Sequence, residues 1–199
     1  MKDIPVIFSG GMVRAMLDDL KTMTRRLAYM ERKTRKPALG ESLTYLARSP
    51  WQDVKVGDRL WVRESWKPHS LYAGMRPKDM PQAKVFYLAD RKYEPSNVPG
   101  IPSIHMPRWA SRITLIVTAT KVEPLQSISE DDALAEGVQK RGERDFWAGE
   151  NRGTDAITAF SALWWSLHGI GSWNANPEVV ALTFKVIKAN IDAQEARAA

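Results

Sequence analysis

The sequence predicts an α+β fold: a small β-barrel or strongly curved sheet of mixed strands, with helices packed on its outside. Three observations carry this expectation. Short apolar or alternating runs, each the length of one strand, occur at "IPVIF", "DRLWVRES", "ITLIVTAT" and "EVVALTFKVI",. Helical spacing of apolar residues appears in three separate places,. The strands do not take regular turns with the helices, which disfavours a doubly wound parallel sheet.

Each element has its own local reason. Ile4 to Phe8 reads as a short buried strand, ended by Ser9-Gly10-Gly11. From Met12 to Leu20, Val13, Met16, Leu17 and Leu20 recur at helical spacing, with Ser9 or Gly10 as the cap. Lys21 to Arg26 fall at the end of that helix or just past it, where cations complement the helix dipole,. From about Arg32 to Trp51 there is little periodicity, and a loop is expected. Gly57-Asp58 signals a turn, after which Leu60, Val62 and Glu64 point one way and Trp61, Arg63 and Ser65 the other,. Glu64 therefore faces the core, where a carboxylate is costly unless it is paired or hydrogen-bonded. It is either half of a structural ion pair with Arg63 or another arginine, or an active-site acid at a strand end.

Residues 67–103 hold Pro68, Pro77, Pro81, Pro95, Pro99 and Pro102, and read as a long, partly irregular insertion with one strand at "AKVFYLAD",. After it, Ile113, Leu115 and Val117 alternate with Thr114, Ile116 and Thr118. In "SISEDDALAEGV" Ser129 is an N-cap and Gly137 a helix stop; the dipole accounts for the acids of the first turn,. Asp155 to Leu167 is an amphipathic helix with Ile157, Phe160, Trp164 and Leu167 inward, and "NPEVVALTFKVIKA" is the closing strand. The alanine-rich end, 191–199, is expected to be a frayed or disordered tail behind a single domain of 1–190,.

Composition narrows the function. The 199 residues, 44% hydrophobic, suffice for one domain with its own core,. There is no cysteine, and the three histidines, His69, His105 and His168, lie far apart, so neither a metal nor another cofactor is expected,. No apolar run has the length of a bilayer span and no signal pattern opens the chain, so the expectation is a soluble cytoplasmic protein,. A net charge of +6 favours an anionic partner, nucleic acid first,. Most of the eight tryptophans are expected in the core or half-buried, with one or two available to stack on bases,. In "DDLKTMTRRLAYMERKTRK" the cations Lys21, Arg25, Arg26, Arg32, Lys33, Arg35 and Lys36 follow Asp18-Asp19 with one acid, Glu31, among them. That run is either a solvated basic face or a guide for an anion.

Three motifs occur in order: a G-x-K-x-x-T-x-R-like signature after the first helix, "VGDRLWVRE" on a strand, and "ISEDDALAEG" on a late helix. With "KTMTRR" and "SIHMPRWASRITL" they make the chain, from Ile4 to about Ile187, resemble the ASCH domain, a relative of the PUA fold. The likeness is nearest to ASCH-type proteins of phages and prophages, which implies a bacterial host cytoplasm. The resemblance implies a PUA-like barrel whose cleft takes RNA or modified nucleosides. Some bacterial members are amidohydrolases that deacetylate N4-acetylcytidine, and others are credited with ribonuclease activity. Carried over by residue, the catalytic set is Lys21, Thr24 and Glu64, and Arg26 is the signature arginine. Arg25, Arg26, Arg63, Trp66 and Trp109 are the expected substrate-binding residues. The signature's opening glycine is Asp19 here, a residue that tolerates a left-handed backbone better than most,.

The chemistry can also be argued from the residues. Amide hydrolysis needs a nucleophile, a base and a holder for the oxyanion. Thr24 is a nucleophile once a neighbour takes its proton. Lys21 can do so if its cationic neighbours depress its pKa, while Glu64 orients Lys21 or activates water. Two other functions use the same residues. One is a binding module without catalysis, with Trp66 or Trp109 as a stacking face. The other is a nuclease, with Lys21 and the arginines on the phosphate and Glu64 as base.

Overall fold

The structure, a computed structural model, describes residues 1–33, 44–90 and 97–193. In chain order its elements are β1 (Asp3–Ile7), α1 (Gly10–Leu17), β2 (Met23–Leu27), β3 (Tyr29–Lys33), β4 (Thr44–Arg48), β5 (Arg59–Arg63), β6 (Trp66–Pro68) and β7 (Val85–Tyr87). There follow β8 (Thr114–Pro124), α2 (Glu130–Ala135), β9 (Gln139–Gly142), β10 (Asp145–Ala148), β11 (Asn151–Gly153), α3 (Ala156–His168) and β12 (Glu178–Ile187). This is a mixed, sheet-rich α+β fold with three helices. The largest sheet has the order β1-β5-β8-β12-β2, and no sheet among the described residues closes into a barrel. The chain forms two compact units, one of Met1–Thr22, Gly57–Thr118 and the chain from Phe184, the other of Met23–Val56 and Ala119–Thr183. No helix among the described residues is long and apolar enough to cross a membrane.

In the first unit β1 runs parallel to β5, and β5 antiparallel to β8. The alternation expected from the sequence holds: Leu60, Val62, Ile113, Leu115 and Val117 are all buried. Thr114 is buried as well, because its hydroxyl donates to the Ala189 carbonyl at 2.9 Å. Helix α1 starts two residues earlier than the spacing suggests and stops at Leu17. The stop comes from Asp19, which takes φ +60°, while the amides of Leu20 and Lys21 both donate back to the Ala15 carbonyl. That is a left-handed helix ending, made by the residue that stands where the ASCH signature has glycine.

The proline-rich insertion is better organised than its sequence suggests. Trp66, Met80, Met106 and Ala110 form a small core of their own, with Tyr72, Val85, Ile101 and Trp109 packed against it. Much of its chain between strands is single turns of 3-10 helix, too short to leave a period in the sequence,.

In the second unit β2 pairs antiparallel with β12, Thr24 opposite Leu182 and Arg26 opposite Val180. Thr24, Arg25 and Arg26 therefore lie on a strand past the end of α1, the second of the two places the sequence allowed, and not on the last turn of the helix. The stretch expected as a loop contains β3 and β4, which pair with Tyr29 opposite Arg48. Most of the hairpin is exposed, so neither strand needed an apolar face that could show in the sequence. Arg35 and Lys36 lie outside the described residues.

Helix α2 begins where expected, with the Ser129 hydroxyl accepting from the Asp132 amide at 3.1 Å, and Gly137 follows it at φ +95°. Helix α3 is capped twice. Asp155 accepts from the Thr158 amide at 2.7 Å, and Glu130 of α2 accepts from the Ala156 amide at 2.9 Å. Phe160 and Trp164 are buried in a core with Leu125, Ile128 and Val179. Leu167, expected inward, is 54% exposed, because the chain from Trp165 to Ile170 stands in solvent.

Candidate functional site

In the first unit β5 delivers Glu64 one residue beyond its end, and the side chain is almost wholly buried. Its partner is Arg112, whose Nε lies 2.8 Å from Oε1 and whose Nη2 lies 3.0 Å from Oε2, a bidentate pair,. The same Nη2 is 2.7 Å from Asp90 Oδ1, and the guanidinium carbon sits 3.9 Å from the Tyr87 ring centre. The Tyr87 hydroxyl donates to the Ala110 carbonyl at 3.0 Å. One arginine thus serves two carboxylates. Burial pushes the Glu64 carboxyl above the ordinary glutamate range, against the pull of Arg112, and the charge of Asp90 pushes the same way. Burial also carries the Tyr87 phenol up to about 12. Such a carboxyl keeps its proton longer than an exposed one, a property useful in proton transfer.

The ion pair expected for Glu64 is therefore made with Arg112 and not with Arg63. Arg63 donates to the Ile104 carbonyl, and its guanidinium lies 5.3 Å from the Trp61 ring centre. Lys21 is fully buried, its ammonium 5.7 Å from the Phe8 ring centre. The Phe8 amide donates to the Arg63 carbonyl at 3.2 Å, at the end of β5 that precedes Glu64. Trp66 is also fully buried and packs edge-on to Trp109, ring centres 6.4 Å apart at 77°. This places Trp66 in the core of the insertion and not on a stacking surface; Trp109 is half-buried.

In the second unit, Thr24 and Arg25 are buried on β2 and Arg26 is half-buried. The Arg25 guanidinium lies 2.6 Å from Asp132, 2.8 Å from Glu123 and 3.4 Å from Glu136. A cation so surrounded holds α2 to β2 and is not presented to a substrate, which corrects the sequence expectation. Asp132, one of the α2 acids assigned to the helix dipole alone, has this second use. Arg26 Nη1 donates to Thr24 Oγ1 at 3.1 Å and to the Arg25 carbonyl at 3.2 Å. The Arg26 guanidinium lies 5.6 Å from the Trp51 ring centre. Burial, helped by the Arg26 charge, holds His168 below the ordinary histidine value. His168 in turn stacks on Trp164 with ring centres 4.1 Å apart.

Sequence reasoning missed Arg112, Asp90 and Tyr87 around Glu64, and Trp51 and His168 in the second unit. Only His168 left a local signal, its i,i+4 spacing from Trp164 on a helix. The partners of Glu64 come from distant segments, and a carboxylate expected in the core leaves its arginine unnamed. Among the described residues no three histidine, aspartate or glutamate side chains gather as a metal-holding group.

Compared with protein-family models, with curated proteins and with solved structures, the chain has no match.

Proposed function

We propose that this protein is an ASCH-type amidohydrolase, with the PUA-like barrel as the parent of its open sheet, that removes an acyl group from a modified pyrimidine nucleoside of the N4-acetylcytidine kind. The observation that carries the reading is the hydrogen bond from the Arg26 guanidinium to the buried Thr24 hydroxyl. A cation donating to Oγ1 leaves the hydroxyl's own proton to go to a base and favours the alkoxide. Burial of all three candidate catalytic side chains, Lys21, Thr24 and Glu64, is further support, since a fold hides such groups at a cost,.

Each residue then has a role. Thr24 Oγ1 forms a bond to the acyl carbon, and its proton passes to the Lys21 side chain as base. As the tetrahedral intermediate collapses, the C–N bond breaks and the nucleoside amine leaves with the proton from Lys21. Water, deprotonated by Glu64, then releases the acyl group from Thr24 as a carboxylic acid. Arg112 positions Glu64. The Lys21-x-x-Thr24 spacing keeps base and nucleophile three residues apart on the chain.

One observation favours a second reading, a module that binds a modified nucleoside without turnover: both Glu64 oxygens are already engaged by Arg112. Incubating the protein with N4-acetylcytidine and following cytidine and acetate by mass decides between the two. The hydrolase releases both products, keeps much of its rate as Thr24→Ser and loses most of it as Thr24→Ala. Binding without product supports the module. A Thr24→Ala variant as fast as the parent removes Thr24 as nucleophile.

A further inference from the structure

We propose that the proline-rich insertion carries a second ligand site, separate from the candidate catalytic residues, for a small amphipathic anion: a flat apolar body with one anionic group. The site is a cavity of about 580 Å³ within the first unit, in the size range of small-molecule pockets. Pro68, Met75, Pro77, Val98, Pro99 and Ile101 give it carbon walls. Rigid proline faces suit a planar ring, and Met75, 44% exposed, lies on the lining as an apolar side chain open to solvent.

The walls are built, not collapsed loop. Trp66 and Ile101 exchange backbone hydrogen bonds of 3.1 and 2.7 Å, which joins the floor to the insertion's own core. The facing segment is closed by successive turns, Tyr72 to His69 at 2.9 Å, Met75 to Tyr72 at 3.1 Å and Asp79 to Arg76 at 2.9 Å, with Gly74 at φ +82°. A cavity with fixed walls needs little ordering when a ligand enters, which favours binding.

The charge on the lining is positive, from Arg76 and Lys78; His105 lines the cavity too, and among the described residues that line it there is no carboxylate. Asp79 binds Arg76 at 2.6 Å without lining the cavity, and the Arg63 bond to the Ile104 carbonyl fixes the chain beside His105. An anionic head is therefore matched at the lining while the apolar body fills the interior. A nucleoside base would find few hydrogen-bond partners among the carbon walls. No residue assigned above to hydrolysis lines this cavity, so the proposal stands apart from that reading.

Anilinonaphthalene sulfonate and its uncharged analogue phenylnaphthylamine test it by fluorescence titration of the full chain. The expected result is saturable binding of one dye per chain, with the sulfonate bound roughly tenfold more tightly than the neutral analogue, the scale of one charged hydrogen bond. Lys78→Glu should erase that preference and leave the neutral dye unaffected. Met75→Trp, a change at an exposed position, should weaken both dyes by filling the space. Far-UV dichroism and cooperative urea unfolding verify that each variant is folded. Absence of saturable binding overturns the proposal. Equal affinity for the two dyes overturns the anionic preference, and binding that survives Met75→Trp places the dye elsewhere and overturns the site.

Discussion

Arg25 and Arg26 are neighbours in sequence but serve different ends, because a strand sends successive side chains to opposite faces. The Arg25 side chain is fully buried against Glu123, Asp132 and Glu136. Removing the cation takes a buried ion pair from Glu136, which is nearly as deep as the arginine, while Lys121 stays 2.8 Å from Asp132 and 3.2 Å from Glu123. Arg25→Met should therefore lower stability by about 3–5 kcal/mol, the cost of breaking a buried pair from one side. Urea unfolding at neutral pH measures it, and a loss under about 1 kcal/mol, the scale of an exposed pair, counts against the structural role. Glu64 is the counterpart case. Its place on the core face was legible from the period of two, yet its partner was not, because Arg112 lies 48 positions along the chain. Periodicity says which way a side chain points; it does not say what meets it there.

At the scale of elements, the two ends of α2 were the most legible, since capping is chemistry among residues a few positions apart. Ser129 and Gly137 bound α2 as expected, and Asp155 caps α3. Hydrogen bonds from the Thr158 side chain and amide hold the Asp155 carboxyl below the ordinary aspartate range. With its folded pKa depressed, the cap contributes stability that is present above the unfolded value, about 3.9, and is lost as pH falls through the folded value. Asp155→Ala should cost about 1 kcal/mol at pH 7, with the deficit shrinking in acid, whereas Asp155→Asn should keep most of the stability. Urea midpoints at pH 7 and near pH 3 measure both, and a deficit that does not change with pH would rule out the charged cap. Gly153, just before this helix, has a different reason: a Cβ there would lie 2.8 Å from the Ala159 Cα. The exposed β3-β4 hairpin and the β9-β10-β11 meander were the illegible elements. A strand with no strongly apolar face gives no alternation to read.

For the whole molecule, the net charge of +6 underlies the expectation of an anionic partner,. The structure changes which cations can contribute. Arg25 is spent inside the protein, while Arg32 and Lys33 are exposed on β3. If this basic run steers RNA, affinity should fall steeply with salt as counterions are released. Replacing Lys33, Arg35 and Lys36 together by alanine should then reduce the slope by about 2–3, close to one per phosphate contact. Filter binding of a short single-stranded RNA across a salt series measures it. An unchanged slope in the triple variant assigns the run to solubility. Hydrolysis of a free nucleoside, which has no phosphate, should be indifferent to the same changes.

The sequence by itself determined the α+β class, the strands β1, β5, β8 and β12, the cap and stop of α2, and the core-facing direction of Glu64. It also singled out Asp19, whose left-handed turn the structure contains. These are all properties of spacing and of local hydrogen bonding, which depend on neighbours within about one helical turn or one strand. Only the tertiary structure decided that no sheet among the described residues closes into a barrel, that Arg25 is structural, that Arg112 holds both Glu64 and Asp90, and that the proline-rich insertion has its own core and cavity. Each of those depends on which distant segments share a buried space. A buried charge must find its opposite somewhere, but the chain's local pattern does not encode where.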